Sequence, residues 1–293
     1  KNGNASSQSK NETPQDTIKA IKMPAIPQMM TAPEQRADFL AKHYWDNVNF
    51  ADTNYIHHPE VTEQAWADYC DLLNHVPLET AQQAMRNVID RTNVDKKVFT
   101  YITDLADKYL YDPNSPMRNE EFYIPVLEAM IASPVLNETE KIRPQARLKL
   151  AQKNRIGTKA LNFTYTLASG AQGSLYQLKA EYLLLFINNP GCQACTETIE
   201  GLKNAPIINQ LLQEKKLVLL SIYPDEELDE WKKHLSEFPN EWINGYDKKF
   251  TIKEEQVYDL KAIPTLYLLD KDKTVLLKDA TAPAIEAYLM QHQ

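Results

Sequence analysis

The chain has 293 residues, 43% of them hydrophobic and 25% charged, with a formal net charge of −8. That length and mixture place it among ordinary globular chains and predict two domains. The densest apolar stretch, 182–187, falls far short of the roughly 18 residues that a spanning helix needs. No Lys/Arg cluster carries interleaved aromatics, so nucleic acid is not an expected partner.

Residues 1–28 are polar and then proline-rich. With no apolar periodicity to offset the entropy of ordering, they are predicted to be a disordered tether. The visible chain does not begin with Met, so a trimmed form whose targeting segment is gone from view is expected, which suits an exported protein.

Residues 29–155 read as an all-α domain of unassigned role. Ala37, Leu40, Ala41, Tyr44, Trp45 and Val48 recur at helical spacing and predict one amphipathic helix reaching Val48. The spacing returns in Ala65, Trp66, Tyr69, Leu72, Leu73 and Val76, then in Ala81, Met85, Val88 and Ile89, then in Val98, Ile102, Leu105 and Tyr109. Two more helices are predicted over 122–132 and 138–153, with Pro125 and Pro144 in first turns or at kinks. No fixed-period repeat is visible. Cys70 falls on the apolar face with Trp66, Tyr69 and Leu73, which predicts a small buried hydrophobe rather than a reactive thiol.

After Ile156 the period changes. Phe163, Tyr165 and Leu167 alternate with polar neighbours, and the Gly170 to Gly173 stretch supplies a hairpin turn before Leu175. Apolar runs at 183–187 and 218–223, with 265–269 and 274–277 flanking a turn, read as further strands. With helices between them and a closing helix near 282–290, residues 156–293 predict an α/β domain with a mixed central sheet. That segment is expected to fold on its own.

Three cysteines are too few for a disulfide-stapled scaffold, and two of them stand three positions apart, which points to redox or metal chemistry. A zinc ribbon needs a second knuckle, and neither the cysteines nor the six histidines supply one. No metal and no cofactor is expected, and His57-His58 reads as a solvated loop pair. Cys192-Gln193-Ala194-Cys195 follows a strand and a Pro190-Gly191 turn and opens a helical segment. Unpaired N–H groups and the positive end of the helix dipole favour thiolate there, so Cys192 is the expected nucleophile and Cys195 the resolving thiol. Ile263-Pro264-Thr265 precedes an apolar strand that a trans proline would disturb, so a cis bond before Pro264 is expected.

Pro190-Gly191-Cys192-Gln193-Ala194-Cys195 with Ala262-Ile263-Pro264-Thr265 resembles the thioredoxin superfamily. Leu161-Asn162-Phe163-Thr164-Tyr165, Ser174-Leu175 and Leu268-Leu269-Asp270-Lys271 are similar to its TlpA-like branch of membrane-tethered envelope thioredoxins. The resemblance covers about 156–293 and implies a thioredoxin-like fold. The helical half resembles, more loosely, the domain that precedes thioredoxin-like domains in Gram-negative envelope lipoproteins, and no functional residue carries over from it.

The resemblance implies thiol–disulfide exchange with Cys192 attacking, Cys195 resolving and Pro264 opposite them. Ile263 would offer backbone hydrogen bonds to an extended substrate. Protein or small-molecule disulfides and an electron-donating or electron-accepting redox protein are the expected partners. The expected location is the cell envelope, on the periplasmic side, with a lipid tether outside the visible chain as one form of attachment. Three departures stand out: Gly191 replaces the usual Trp before the first cysteine, the preceding strand is one residue longer, and that strand lacks a buried acid, which leaves the proton acceptor for Cys195 unassigned. A thiol peroxidase, and a binding module on a redox scaffold with a ligand-capturing helical domain, are the competing readings. Trp231, Trp242 and Tyr223-Pro224-Asp225 are candidates for a groove border, core packing being the alternative, and the acidic run 225–227 is expected to start a helix.

Overall fold

A computed structural model of the chain describes residues 20–293. Of the predicted tether, 1–19 lie outside the described residues. Residues 20–27 have no regular element, yet the Lys22 carbonyl accepts a hydrogen bond from Asn47 Nδ2 at 3.0 Å, so part of this stretch is attached. The chain divides into two compact units, 1–141 and 142–293.

The first unit holds α1 (Pro33–His43), α2 (Asn54–His57), α3 (Pro59–Leu72), α4 (Leu78–Arg91), α5 (Lys96–Ala106) and α6 (Glu120–Ala132), and α7 (Glu138–Ala151) contains the division point. Proline at the first position starts α1 and α3, where its missing N–H has no partner to lose. Asp95 caps α5, its Oδ1 accepting from the N–H groups of Lys97 and Val98 at 2.8 and 3.1 Å. The predicted first helix stops early, at His43. Tyr44, Trp45 and Val48 are nonetheless buried, because three-residue turns (Asp46 N–H to His43 O, Val48 N–H to Trp45 O) keep them facing the core. Trp45 meets Tyr69 edge-on with ring centroids 5.5 Å apart, and Trp66 lies 6.1 Å from Trp45.

Both internal prolines sit inside their helices, past the first turn. A proline there leaves the carbonyl four residues back without its helical donor. For Pro125 that carbonyl belongs to Glu121, and Gln82 Nε2 on α4 donates to it at 3.0 Å. A side chain from the neighbouring helix thus replaces the missing bond. Gln82→Ala is expected to cost about 1 kcal/mol; an unchanged thermal midpoint would speak against this role.

The second unit contains β1 (Thr164–Leu167), β2 (Gln172–Ser174), β3 (Tyr182–Ile187), α8 (Gln193–Lys203), α9 (Pro206–Gln213), β4 (Leu217–Tyr223), α10 (Leu228–His234), β5 (Ile243–Tyr246), α11 (Thr251–Glu254), β6 (Thr265–Asp270), β7 (Val275–Leu277) and α12 (Ala282–Gln291). The strands form one mixed sheet in the order β2-β1-β5-β4-β3-β6-β7. β3, β4 and β5 run parallel, while β6 is antiparallel to β3.

The continuous apolar run of β3 follows from its central place. Leu184 and Phe186 pack on one side with Leu202, Ile208 and Ile285 from α8, α9 and α12. Leu183, Leu185 and Ile187 face Phe163, Ile252 and Tyr258 on the other. Both faces are covered, so alternation disappears from the sequence.

β5 was not expected. It is four residues long and carries Asn244-Gly245, which reads as a turn signal. Gly245 is there because Tyr165 on β1 lies against it: a Cβ would stand 3.0 Å from the Tyr165 ring and 3.2 Å from the Thr166 carbonyl. Glycine inside a strand marks this kind of close approach.

Candidate functional site

β3 delivers the chain to the site. Its last residue is followed by buried Asn188, whose Nδ2 donates to Ser221 Oγ at 2.8 Å. The loop then passes through Asn189, Pro190 and Gly191 to Cys192. Gly191 has φ +80°, a left-handed conformation that a tryptophan would adopt only under strain, which accounts for the glycine before the first cysteine.

Cys192 is the N-cap of α8, and its sulfur accepts the Cys195 N–H at 3.3 Å. A sulfur in this position sits at the positive end of the helix dipole, where negative charge is stabilised. Cys192 is partly exposed, whereas Cys195 is only 2% exposed. Burial pushes the Cys195 thiol up to about 12; the neighbouring Cys192 sulfur acts in the same direction and the Asn189 backbone N–H opposes them. One sulfur is presented and the other is held behind it.

Opposite Cys192 lies the loop before β6. The Ile263–Pro264 bond is cis, as expected. The Cys192 thiol donates to the Ile263 carbonyl at 3.7 Å. The four residues named at the sequence level therefore meet: Cys192 touches Cys195 on one side and Ile263 on the other, and Pro264 follows directly.

Sequence reasoning missed what supports this loop. Lys261 Nζ lies 3.3 Å from both Asp259 Oδ2 and Asp279 Oδ2, with side-chain exposures of 7%, 15% and 12%. The triad ties the strand approach that carries Ile263 to the turn beyond β7.

Beside the cysteine loop is a cleft of about 310 Å³. Asn189, Pro190 and Gly191 form part of its wall, and Tyr223, Asp225, Glu227 and Lys253 contribute others. Tyr223 and Asp225 are thus border residues, as one reading had it. Trp231 and Trp242 are not: both are buried, Trp231 against Tyr246 and Trp242 against Phe186 and Phe238. The acidic run leads into α10, with Glu227 as its N-cap, and Asp225 pairs with Lys253.

Cys70 is 2% exposed, and burial pushes its thiol up. Alkylation of the native, reduced chain is expected to reach Cys192 and to spare Cys70 until denaturant is added; early labelling of Cys70 would refute its assignment to the core. His57 is exposed, and His58 pairs with Glu60 at 3.1 Å. Among the described residues no group of three or more His, Cys, Asp or Glu side chains is arranged to hold a metal ion, and no helix is long and apolar enough to cross a membrane. The helical unit has a cavity of its own, about 590 Å³, lined in part by Ile56, His57, Lys97 and Tyr101.

The sequence matches two family models, a domain of unknown function (DUF5106) over residues 1–154 and a thioredoxin-like family over residues 180–275. No curated protein matches the chain. Among solved structures, a thioredoxin-like protein from Bacteroides caccae is 84% identical, with a TM-score of 0.92 over 94% of this chain and 100% of that one. The C-terminal domain of an uncharacterized protein from Bacteroides fragilis is 69% identical, covering 47% of this chain and 98% of that chain with a TM-score of 0.46. A conserved protein of unknown function from Bacteroides fragilis is 36% identical over 46% of this chain and 98% of its own, with a TM-score of 0.45. With the first family model matching more than half its length and a relative so similar along its whole chain, the protein belongs to the thioredoxin-like family, in a form where a DUF5106 domain precedes the thioredoxin-like one.

Proposed function

We propose that the chain catalyses thiol–disulfide exchange through Cys192 and Cys195, reducing protein disulfides in the cell envelope. The observation that carries this reading is the asymmetry of the pair. The Cys192 sulfur caps α8 and is accessible, while Cys195 is buried one turn on.

In the forward step the Cys192 thiolate attacks a substrate disulfide. One substrate sulfur leaves as thiolate and Cys192 is joined to the other. Cys195 then gives up its proton and attacks the Cys192 sulfur, releasing the second substrate thiol and forming the Cys192–Cys195 disulfide. An extended substrate segment fits beside Ile263, whose backbone faces the reacting sulfur. The cycle closes when a redox partner reduces the disulfide again. The resemblance to the TlpA-like branch supports a periplasmic location with a lipid tether, and both belong to this proposal.

The test is reduction of a protein disulfide, such as insulin, by a small dithiol with and without the full chain. The chain should accelerate it and Cys192→Ser should not; equal acceleration by both proteins would remove the proposal.

Resolution should also depend on pH in a predictable way. With the Cys195 thiol pushed up to about 12, its thiolate fraction rises about tenfold per pH unit below that value. Decay of a Cys192 mixed disulfide is therefore expected to speed up steeply between about pH 6 and 9. Single-turnover rates flat across that window would contradict this assignment of Cys195.

A further inference from the structure

Asn189 makes contacts in two directions. Its carbonyl accepts the Cys192 N–H at 3.4 Å, and its Nδ2 donates to Asp225 Oδ2 at 2.6 Å. The other oxygen of Asp225 accepts from Lys253 Nζ at 2.7 Å.

Lys253 rides on α11, and that short helix is itself fastened. Asp247, 1% exposed, accepts the Ile252 N–H on Oδ2 at 2.7 Å, and its own N–H donates to the Tyr223 carbonyl at 2.9 Å. A line of contacts therefore runs from the ends of β4 and β5 through Lys253 and Asp225 to the cysteine loop. Between Asn189 and Cys192 the chain has only Pro190 and a left-handed Gly191. The outside support falls on Asn189.

We propose that Asp225, fixed by Lys253, is a positioning residue for disulfide resolution: through Asn189 it holds the loop so that the Cys195 sulfur lines up with the Cys192 mixed disulfide. The inference rests on the dithiol reading above. The Asn189 backbone also favours the ionised form of Cys195. Asp225 touches neither sulfur in this arrangement and acts only through Asn189.

Lys253, at the outer end of the pair, has a side chain 51% exposed, while that of Asp225 is 24% exposed. A pair with a solvent-exposed cation adds about 1 kcal/mol or less to stability. An effect of Asp225 on one chemical step therefore separates from a general effect on folding.

The experiment uses the reduced full chain and an aromatic disulfide that releases a coloured nitrothiobenzoate. In the first phase the Cys192 thiolate displaces one coloured thiolate and forms a mixed disulfide. In the second, Cys195 attacks the Cys192 sulfur and loses its proton to solvent, the bond to the aromatic sulfur breaks, and the second coloured thiolate leaves with the electron pair. Asp225→Ala is expected to slow the second phase about tenfold or more and to leave the first within about twofold. Asp225→Asn keeps an oxygen for Asn189 without the charge for Lys253, and should fall between.

A second phase within about twofold of the wild type in Asp225→Ala, or equal slowing of both phases, would overturn the inference. Should Asp225→Ala fail to fold, Lys253→Met and Asn189→Ala interrupt the same line and are judged by the same two phases. A wild-type chain that shows no second phase denies the dithiol reading itself, which keeps the two failures apart.

Discussion

A Cys195→Ser variant incubated with a disulfide substrate is expected to accumulate a stable adduct on Cys192, and Cys192→Ser to form none. The hydroxyl of serine does not attack a disulfide sulfur under conditions where a thiolate does, so removing Cys195 stops the cycle after its first half. The trapped species follows from the placement of the sulfurs: Cys192 is accessible at the helix start, and Cys195 is covered. Turnover should be lost in both variants. Intact-mass measurement separates them, since only Cys195→Ser carries the substrate thiol. An adduct on Cys195 in the Cys192→Ser chain, formed as fast as the one on Cys192, would reverse the roles.

Lys261→Met is expected to lower the stability of the thioredoxin-like unit markedly. The ammonium group is 7% exposed between two carboxylates that are themselves mostly covered. Removing the cation from between two mostly covered carboxylates is expected to cost about 3 kcal/mol. For a chain of this size the thermal midpoint should fall by roughly 10 °C. Adding Asp259→Asn to the same chain removes one of the two like charges and should recover part of the loss. A drop below about 1 kcal/mol would mean that the triad is solvated in a way its exposures do not suggest.

What the sequence disclosed and what it withheld follow from the range over which each contact acts. The 182–187 run, a hairpin near Gly170 and the Cys-X-X-Cys helix start are written in consecutive residues, so local rules were enough to find them, although the turn closes before Gln172 and Gly173 itself lies in β2. Cys70 was placed by its helical neighbours alone. The early end of α1 was not legible, because Tyr44, Trp45 and Val48 keep the helical spacing while the backbone changes to tighter turns.

β5 escaped for a different reason. Its glycine answers to the Tyr165 ring, some eighty positions earlier in the chain, and no local signal distinguishes that from a turn. The same holds for the site. Cys192, Cys195 and Pro264 belong to recognisable motifs, whereas Asn189, Asp225 and Lys253 meet only after β3, β4 and α11 are assembled. Asp225 was visible as part of an acidic run, and the run suggested a helix start. Its partner Lys253 lies beyond β5, the strand that was missed.

The most direct measurement is a redox titration of the full chain in thiol–disulfide buffers, read by mass after alkylation. The account predicts a two-electron transition in which Cys192 and Cys195 become joined while Cys70 stays reduced, with a potential between about −270 and −120 mV, the span of exchange-active members of the superfamily. A chain that never joins Cys192 to Cys195, or does so with a potential below about −300 mV as inert structural disulfides do, would contradict it.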